Sequence, residues 1–469
     1  MSAATSEWPA WLRRRTAVEL LGPPGRFFAW VTIALSLLSI VYVGGWNAAK
    51  YPIVLGYDAQ PNAAYAHILL DQHHIPRPDQ SGEARQPPGY YFVAEVAARA
   101  GHELFGWLEA RPYSAQLPEA SYRGAQILNV VLVFATALIV LLLARIVAPE
   151  RPEVWTASVA FFAFLPVVAK TAAMFHPETL NMFLSAAAVL IATRIASSRK
   201  LAPVPVALLT VTLLAGFLVR SSTLFTLIAI AIGLAIAFAP SAARPSLSRR
   251  SGVIALAALA CVSAIGLLLV TRAPDLARGL THFGGPSEIA GRANFFRLDV
   301  RSMFQEPYRP HFVNEALPMT YTEIWGDWIG AFAWDPSSTA PSQKALSVLK
   351  DQNWIGVIPT VLAIGGWLLL VWLAAKRRRE LASLALFPLV VVGGYLARSY
   401  QLSTSDGDLL KATYALTSAP AWAVGFGVGL AALRRFRIIW LVAVACLAVF
   451  AVLELRFMMY GVRDGLSIF

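Results

Sequence analysis

The stretch Phe27–Trp46, FFAWVTIALSLLSIVYVGGW, decides the class of fold to which this chain belongs. It holds no charged residue and has the ~20 residues that an α-helix needs to cross the hydrocarbon core of a bilayer. It is longer than the roughly 7–15 apolar residues of a signal peptide. We therefore expect a transmembrane helix that remains in the protein as an anchor.

Further apolar runs follow, and the composition of the chain agrees with them. Of its 469 residues, 57% are hydrophobic and 14% are charged, whereas soluble domains carry about 25% charged residues. The sequence predicts an all-α polytopic membrane protein with about 11 transmembrane helices. The predicted spans are Phe27–Trp46, Ile127–Val147, Val154–Met174, Thr179–Ala196, Pro203–Val219, Leu224–Ala239, Gly252–Thr271, Trp354–Ala374, Leu381–Leu396, Tyr414–Leu433 and Ile438–Phe457.

Clusters of arginine and lysine predict which side of the membrane each loop faces. Clusters such as Arg13-Arg14-Arg15 and Lys376-Arg377-Arg378-Arg379 lie beside apolar spans, as cytoplasmic loops do under the positive-inside rule. Because the basic residues lie beside the predicted membrane spans, the net charge of +12 does not indicate a nucleic-acid partner. The two cysteines, Cys261 and Cys446, lie within apolar spans, so neither a disulfide nor a cysteine metal site is expected.

This orientation divides the chain into segments, and it predicts a bacterial inner-membrane protein with a cytoplasmic N-terminus. The segments are a cytoplasmic N-terminal stretch (1–26), spans one to seven in 27–271 with an outer loop 47–126, a second outer loop 272–353, and 354–469 with the last four spans and a short outer tail. Within the long loops, Asn62–Gln72, Tyr90–Phe105 and Ser342–Asp351 have the spacing of helices that lie on the bilayer surface.

The first long loop carries the most specific polar residues. Asp58 lies about a dozen residues beyond the first span, and Glu83-Ala84-Arg85-Gln86-Pro87-Pro88-Gly89-Tyr90-Tyr91 follows. Asp58 is either a general base that deprotonates a hydroxyl group or a turn residue before a helix. The proline pair can start a helix, which would place Glu83, Arg85 and Gln86 before it and Tyr90 and Tyr91 on its first turn. The alternative is an interfacial helix with aromatic anchors.

Other charged residues are predicted to share the outer side. His176 and Glu178, between spans three and four, could join Asp58 around a divalent cation, or Glu178 could simply favour the positive end of a helix dipole. Lys170 precedes them as a candidate partner for an anionic head group or as a snorkelling side chain.

Two further cations lie at outer helix ends. Arg220, flanked by Ser221, Ser222 and Thr223, and Lys411, which precedes Tyr414, are candidate ligands of a phosphate group; each could instead snorkel to the interface. Glu323 and Asp327, beside two tryptophans of the second loop, would suit recognition of a sugar or a polyprenyl chain, although the tryptophans are also typical interface anchors.

These residues resemble the GT-C superfamily of membrane glycosyltransferases, which includes protein O-mannosyltransferases and lipid A aminoarabinose transferases. The match is to an early acid, Asp58, followed by a Glu-x-x-Gln-Pro-Pro-x-Tyr-Tyr element over 83–91. Ala59 stands where many members have a second acid, which puts metal binding by an acidic pair in doubt. Weaker similarity continues through His176-Pro177-Glu178, Trp325-Gly326-Asp327 and 408–414.

The resemblance implies transfer of a sugar from a polyprenyl phosphate to a lipid, glycan or protein acceptor, with inversion at the anomeric carbon. Asp58 would be the base, and Arg220 or Lys411 would neutralise the leaving phosphate. A polyprenyl-lipid or sugar transporter and a non-catalytic envelope-assembly protein are the alternatives. A transporter often shows internal repeats, and the sequence shows none.

Overall fold

A computed structural model describes residues 23–51, 56, 58–104, 123–239, 292–305, 307, 314–326, 343–403 and 410–460 of the chain. Within these ranges every regular element is helical. Among the described residues, seven helices are long and apolar enough to cross a membrane, or eight if a bent pair counts as one span. The predicted all-α membrane fold is confirmed, and the predicted number of spans is not settled by these helices.

The helices follow one another in the order of the predicted apolar runs. The α-helices are α1 (Pro23–Lys50), α2 (Ala59–Asp71), α3 (Gly89–Leu104), α4 (Arg123–Val147), α5 (Pro152–Ala163), α6 (Pro166–Ala173), α7 (Glu178–Ser198), α8 (Pro203–Val219), α9 (Thr223–Phe238), α10 (Val300–Gln305), α11 (Ala316–Trp325), α12 (Gln343–Lys376), α13 (Ala382–Gln401), α14 (Ala419–Leu433) and α15 (Arg437–Phe457). Two 3₁₀ turns, Arg379–Leu381 and Ala412–Ser418, precede α13 and α14. The predicted seventh span, Gly252–Thr271, lies outside the described residues.

Helix α14 lies at the centre of the bundle because its glycines let neighbouring backbones approach. A Cβ atom at Gly366 of α12 would lie 1.8 Å from the carbonyl oxygen of Gly425. A Cβ at Gly427 would lie 2.3 Å from the Ser158 hydroxyl oxygen of α5. Small residues at helix crossings are typical of membrane bundles, in which close packing replaces the hydrophobic effect between helices.

The predicted third span is broken in the structure. Helices α5 and α6 meet at an angle of 48°, and Pro166 occupies the start of α6. Proline lacks a backbone N–H and its ring excludes a continuous helix, so the break falls where the sequence places it. The short helix α6 then brings the loop at His176 towards α2, where Asn62 donates a hydrogen bond to the carbonyl of Phe175 at 3.1 Å.

Two of the three helices predicted on the bilayer surface are present as separate elements. They are α2 and α3, which begin three residues and one residue before the predicted starts. Helix α3 exposes Phe92 and Val96 while its opposite side is buried, as expected of a helix at a membrane surface. The third, Ser342–Asp351, was predicted as a surface helix that leads into Trp354, and in the structure residues 343–351 form the first part of α12, which runs unbroken from Gln343 to Lys376. No residue that breaks a helix stands between Gln343 and Trp354.

Candidate functional site

A cavity of about 350 Å³ opens where the start of α2, the Glu83 segment and the ends of α8 and α13 meet. We call this end of the bundle the site end. Three carboxylates and three cations line the cavity: Asp58, Glu83, Glu178, Arg220, Arg398 and Lys411. Its other wall is apolar and includes Leu224 and Phe225 of α9 and Val391 of α13. The cavity therefore offers both charged groups and a surface for hydrocarbon.

Asp58 lies at the start of α2 in an unusual backbone conformation. Its φ of 53° and ψ of 24° place it in the left-handed region, and its side chain makes no capping hydrogen bond. This leaves the carboxylate available to the cavity, where Lys411 Nζ lies 3.2 Å from Oδ2. Asp58 keeps 30% of its side chain exposed, whereas Lys411 keeps 4%. An aspartate that tolerates this conformation thus serves both as a turn residue and as a charged group of the cavity.

Arg220 forms the second charged group of the cavity. Its Nε donates to Glu178 Oε1 at 2.8 Å, and its Nη1 lies 4.0 Å from Glu83 Oε2. Its guanidinium carbon lies 5.5 Å from the centre of the Tyr414 ring, within the range of a cation–π contact. Asn181 Nδ2 lies 3.1 Å from the other oxygen of Glu178. The site therefore holds Arg220 by contacts on three sides.

Burial and neighbouring charges shift the pKa values of Glu83 and His176. Burial raises the pKa of Glu83, while Arg220 opposes and the nearby Asp58 adds to this increase. Burial, followed by the charges of Arg220, Lys411 and Lys170, holds the pKa of His176 well below its usual value. His176 is therefore a neutral imidazole at physiological pH, with Nδ1 3.4 Å from the backbone N–H of Glu178.

The paired tyrosines that the sequence predicted as binding residues pack inside the protein. Tyr90 and Tyr91 are both 0% exposed, and neither lines the cavity. Tyr91 stacks on Tyr65 with ring centres 3.9 Å apart and donates a hydrogen bond to Asn62 Oδ1 at 3.0 Å. The hydroxyl of Tyr65 donates to the Gln86 carbonyl at 3.0 Å. These rings position the Glu83 segment against α2, and Gln86 itself lines the cavity.

Of the remaining predicted residues, Arg85, Lys170 and His176 do not line the cavity. Arg85 is exposed on the loop, and Lys170 and His176 are buried beneath it. Tyr414 does line the cavity, and its ring centre lies 6.3 Å from that of His176. Asp327 lies outside the described residues.

The predicted cation ligands do not form a metal site in this arrangement. Among the described residues, no group of three or more His, Cys, Asp or Glu side chains could hold a metal ion. Asp58 is paired with Lys411, and Glu178 with Arg220. A divalent cation would have to displace these positive side chains, so the residues present do not fit it as they stand.

Several lining residues were missed by sequence reasoning. Arg398 and Tyr395 of α13 and Thr417 before α14 line the same cavity as Asp58. Arg398 lies near the end of an apolar run, as Arg220 does, and that position is the signal that could have found it. Nothing local marks Thr417, whose hydroxyl lies 3.1 Å from Asn181 Nδ2.

The chain is similar to known proteins in structure but not in sequence. No protein-family model matches the chain, and no curated protein is similar to it in sequence. The apo oligosaccharyltransferase of Archaeoglobus fulgidus has a similar fold, with a TM-score of 0.51 at 15% identity over 94% of this chain and 56% of that one.

Two other structures of oligosaccharyltransferases from this organism were also found. One is AglB with an inhibitory peptide and a dolichol-phosphate (TM-score 0.49, 14% identity, 95% and 56% of the two chains), and the other is tethered to an acceptor peptide (0.48, 12%, 92% and 55%). This chain spans about half the length of these proteins. The likeness to the apo structure shows that the chain shares the fold of the matched part of that oligosaccharyltransferase.

Proposed function

We propose that this protein is an integral-membrane glycosyltransferase that moves a sugar from a polyprenyl-phosphate donor to an acceptor. The observation that carries the proposal is the cavity in which the Asp58 carboxylate lies 3.2 Å from Lys411 Nζ and which Arg220 also lines. One carboxylate and several cations are the groups that such a transfer needs. The GT-C-like fold agrees with this function by analogy only.

The apolar wall of the cavity supports a lipid-linked donor. Leu224 and Phe225 of α9 and Val391 of α13 line the same cavity as Arg220 and Arg398. A Cβ atom at Gly394 would lie 2.4 Å from the Phe225 ring, so glycine lets the aromatic wall approach α13. In the proposal the first isoprene units lie along this wall and the phosphate lies against the cations.

The proposed reaction is a single displacement at the anomeric carbon. Asp58 accepts the proton of the acceptor hydroxyl while the oxygen of that hydroxyl forms a bond to the anomeric carbon. At the same time the bond from the anomeric carbon to the phosphate oxygen breaks. The electron pair leaves with the phosphate, whose growing charge Lys411 and Arg220 stabilise. Attack from the face opposite to the phosphate inverts the configuration.

Two features of the proposal concern surroundings rather than chemistry. The charge distribution supports placing the cavity on the periplasmic side of a bacterial inner membrane, since the basic clusters lie at the other end of the spans. The acceptor is a lipid, a glycan or a protein. The divalent cation predicted at Asp58, His176 and Glu178 would have to displace Lys411 and Arg220 from their carboxylates, and transfer assays with and without a chelator test it.

The test is transfer in membranes, supplied with a panel of radiolabelled polyprenyl-phosphate monosaccharides. Asp58→Asn keeps the shape of the side chain and removes the proton acceptor, so incorporation of label into acceptor should fall by ~10²- to 10⁴-fold. The matched control is Asp71→Asn, because Asp71 lies on the same helix in an ion pair with Arg99 and does not line the cavity.

The alternatives predict other results in the same membranes. A transporter would move labelled lipid across the bilayer with no covalent product, and an assembly protein would do neither. Wild-type membranes that form no labelled acceptor with any donor of the panel would contradict the proposal, as would equal transfer by wild type and Asp58→Asn.

A further inference from the structure

Glu323 of α11 is a buried carboxylate that contacts the chain next to Lys411. It is 1% exposed, and its Oε2 accepts the backbone N–H of Ala412 at 2.6 Å. Ala412 begins the 3₁₀ turn Ala412–Ser418, and the first N–H groups of such a turn have no partner within it. Glu323 therefore caps this turn from a helix that lies 89 residues away in sequence.

Helix α11 holds Glu323 at a fixed place. On one side of it, the Tyr321 hydroxyl donates to the carbonyl of Asn353 at 2.7 Å. On the other side, Trp325 Nε1 donates to Thr360 Oγ1 at 3.0 Å, and Trp325 is 2% exposed. Both partners belong to the long helix α12. The carboxylate thus links the bundle to the peptide between Lys411 and Ala412.

That peptide adjoins the Cα atom that carries the Lys411 side chain. The backbone of Lys411 is extended, with φ −122° and ψ 120°. Its side chain makes no capping hydrogen bond to the 3₁₀ turn that follows it. Its Nζ lies 3.2 Å from Asp58 and 5.9 Å from the centre of the Tyr414 ring. A shift of the backbone at Lys411 on loss of the Glu323 hydrogen bond would carry Cα and Cβ with it and would move Nζ away from both groups.

We infer that Glu323 is a positioning residue that holds the Lys411 ammonium at Asp58 and at the place of the donor phosphate. The inference rests on the proposed function for its catalytic meaning, but not for its geometry. A direct contact of Glu323 with a sugar, which the sequence allowed, does not agree with its burial and with its absence from the lining of the cavity.

The first test is of geometry and needs no substrate. In purified full-length protein, Lys411 is acetylated with an amine-reactive ester and the modified peptides are measured by mass spectrometry. Lys411 is shielded in the wild type, with 4% of its side chain exposed, and we expect faster labelling in Glu323→Ala and Glu323→Asp. Glu323→Gln keeps an oxygen acceptor for the Ala412 N–H and should stay shielded.

Glu315, the residue that directly precedes α11, offers a matched control. It is also 1% exposed and its Oε2 accepts the backbone N–H of Asp299 at 2.8 Å, at the other end of α11. Glu315→Ala removes a buried carboxylate of the same kind without a contact to the Lys411 peptide. Its Lys411 labelling should equal that of the wild type.

The second test is of donor use. Glu323→Ala should raise the KM for the polyprenyl-phosphate sugar about 10- to 100-fold, the usual effect of a misplaced group, and Glu323→Gln should restore it. In a Lys411→Ala background, Glu323→Ala should cause no further loss, because the two residues act through one contact.

The outcomes separate the inference from the proposed function. Unchanged Lys411 labelling in a folded Glu323→Asp or Glu323→Ala protein would overturn the inference, and so would additive effects in the double variant. If no donor is used by the wild type while labelling follows the expected order, the proposed function fails and the positioning role stands.

Discussion

Two buried arginines at opposite ends of the bundle show what separates a site from a structural contact. Arg220 at the site end is 8% exposed, and Arg378 at the other end is 5% exposed. Arg378 donates to the carbonyl oxygens of Val147 and Ile146 at the end of α4 and to Glu380 Oε1 at 2.8 Å. Arg220 contacts two carboxylates and the face of an aromatic ring, and it lines the cavity at the site end.

The difference lies in what each cation can still do. Arg378 donates hydrogen bonds to carbonyl groups at a helix end, which is a common role of arginine. Its positive charge thus stabilises the fold. Arg220 keeps its contacts in a space of about 350 Å³ that a further group can enter. An anion there would compete with Glu178 and Glu83 for one guanidinium. Burial of an arginine therefore predicts a site only together with a cavity.

The largest expected difference between the two ends is their side of the membrane. In a background with Cys261 and Cys446 replaced by alanine, Asp79→Cys should react with an impermeant thiol reagent in intact cells and Arg377→Cys should not. Both positions are exposed in the structure, so the membrane alone decides the result. Labelling of Arg377→Cys with none at Asp79→Cys would reverse the proposed orientation.

The next largest effect concerns the cation beside Asp58. Lys411→Ala should weaken use of the polyprenyl-phosphate donor by about 10- to 150-fold, since a contact between charged groups is worth ~1.5–3 kcal/mol. Lys376→Ala, in the basic cluster at the other end, serves as the control and should leave donor use unchanged. Donor titrations at equal amounts of membrane protein measure this, and equal titrations for both variants would contradict the role of Lys411.

A matched pair of substitutions separates the two arginines. Arg220→Lys keeps the charge but loses the forked donors, so it should raise the donor KM by about tenfold, an effect of ~1.4 kcal/mol. Arg378→Lys loses contacts to carbonyl groups and should lower thermal stability with the donor KM unchanged. A raised donor KM in Arg378→Lys would remove the distinction between the two ends.

The smallest effect is a pH dependence from Glu83. Burial raises its pKa above the ordinary 4.5. As the pH falls, Glu83 therefore becomes neutral at a higher pH than an ordinary glutamate and no longer balances the charge of Arg220. Transfer should therefore begin to fall at a pH above that value. Because the folded state binds this proton more tightly than the unfolded chain, the stability gained on protonation is lost as the pH rises through the raised pKa.

Glu83→Gln checks this assignment. The variant should transfer sugar more slowly, because Arg220 loses a charged neighbour, and this limb of its pH–rate profile should be absent. An unchanged limb in the variant would assign the titration to another group.

The helices were predictable from sequence because membrane spans follow local composition. Runs such as Thr179–Ala196 and Pro203–Val219 fall within the observed helices α7 and α8, since backbone groups in lipid must pair within their own segment. The bend between α5 and α6 also has a local cause in the sequence, Pro166, although the bend was not predicted. The unbroken length of α12 was also local, since no residue that breaks a helix stands between Gln343 and Trp354.

The site was less predictable because its contacts join distant regions of the chain. Asp58 and Lys411 are 353 residues apart, and Arg220 and Glu178 are 42 apart. The sequence indicated which residues carry charge near helix ends, but not which carboxylate would pair with which cation. It also could not show that Tyr90 and Tyr91 face inward, since paired tyrosines suit either an interface or a core.

The most direct test of the central claim separates binding from chemistry at Asp58. Purified wild-type and Asp58→Asn proteins are each loaded with the same radiolabelled polyprenyl-phosphate sugar, and a single turnover is followed after acceptor is added. The account predicts that both proteins retain the donor, while Asp58→Asn transfers its sugar ~10²- to 10⁴-fold more slowly. Transfer by Asp58→Asn at the wild-type rate would contradict it and leave Asp58 as a turn residue.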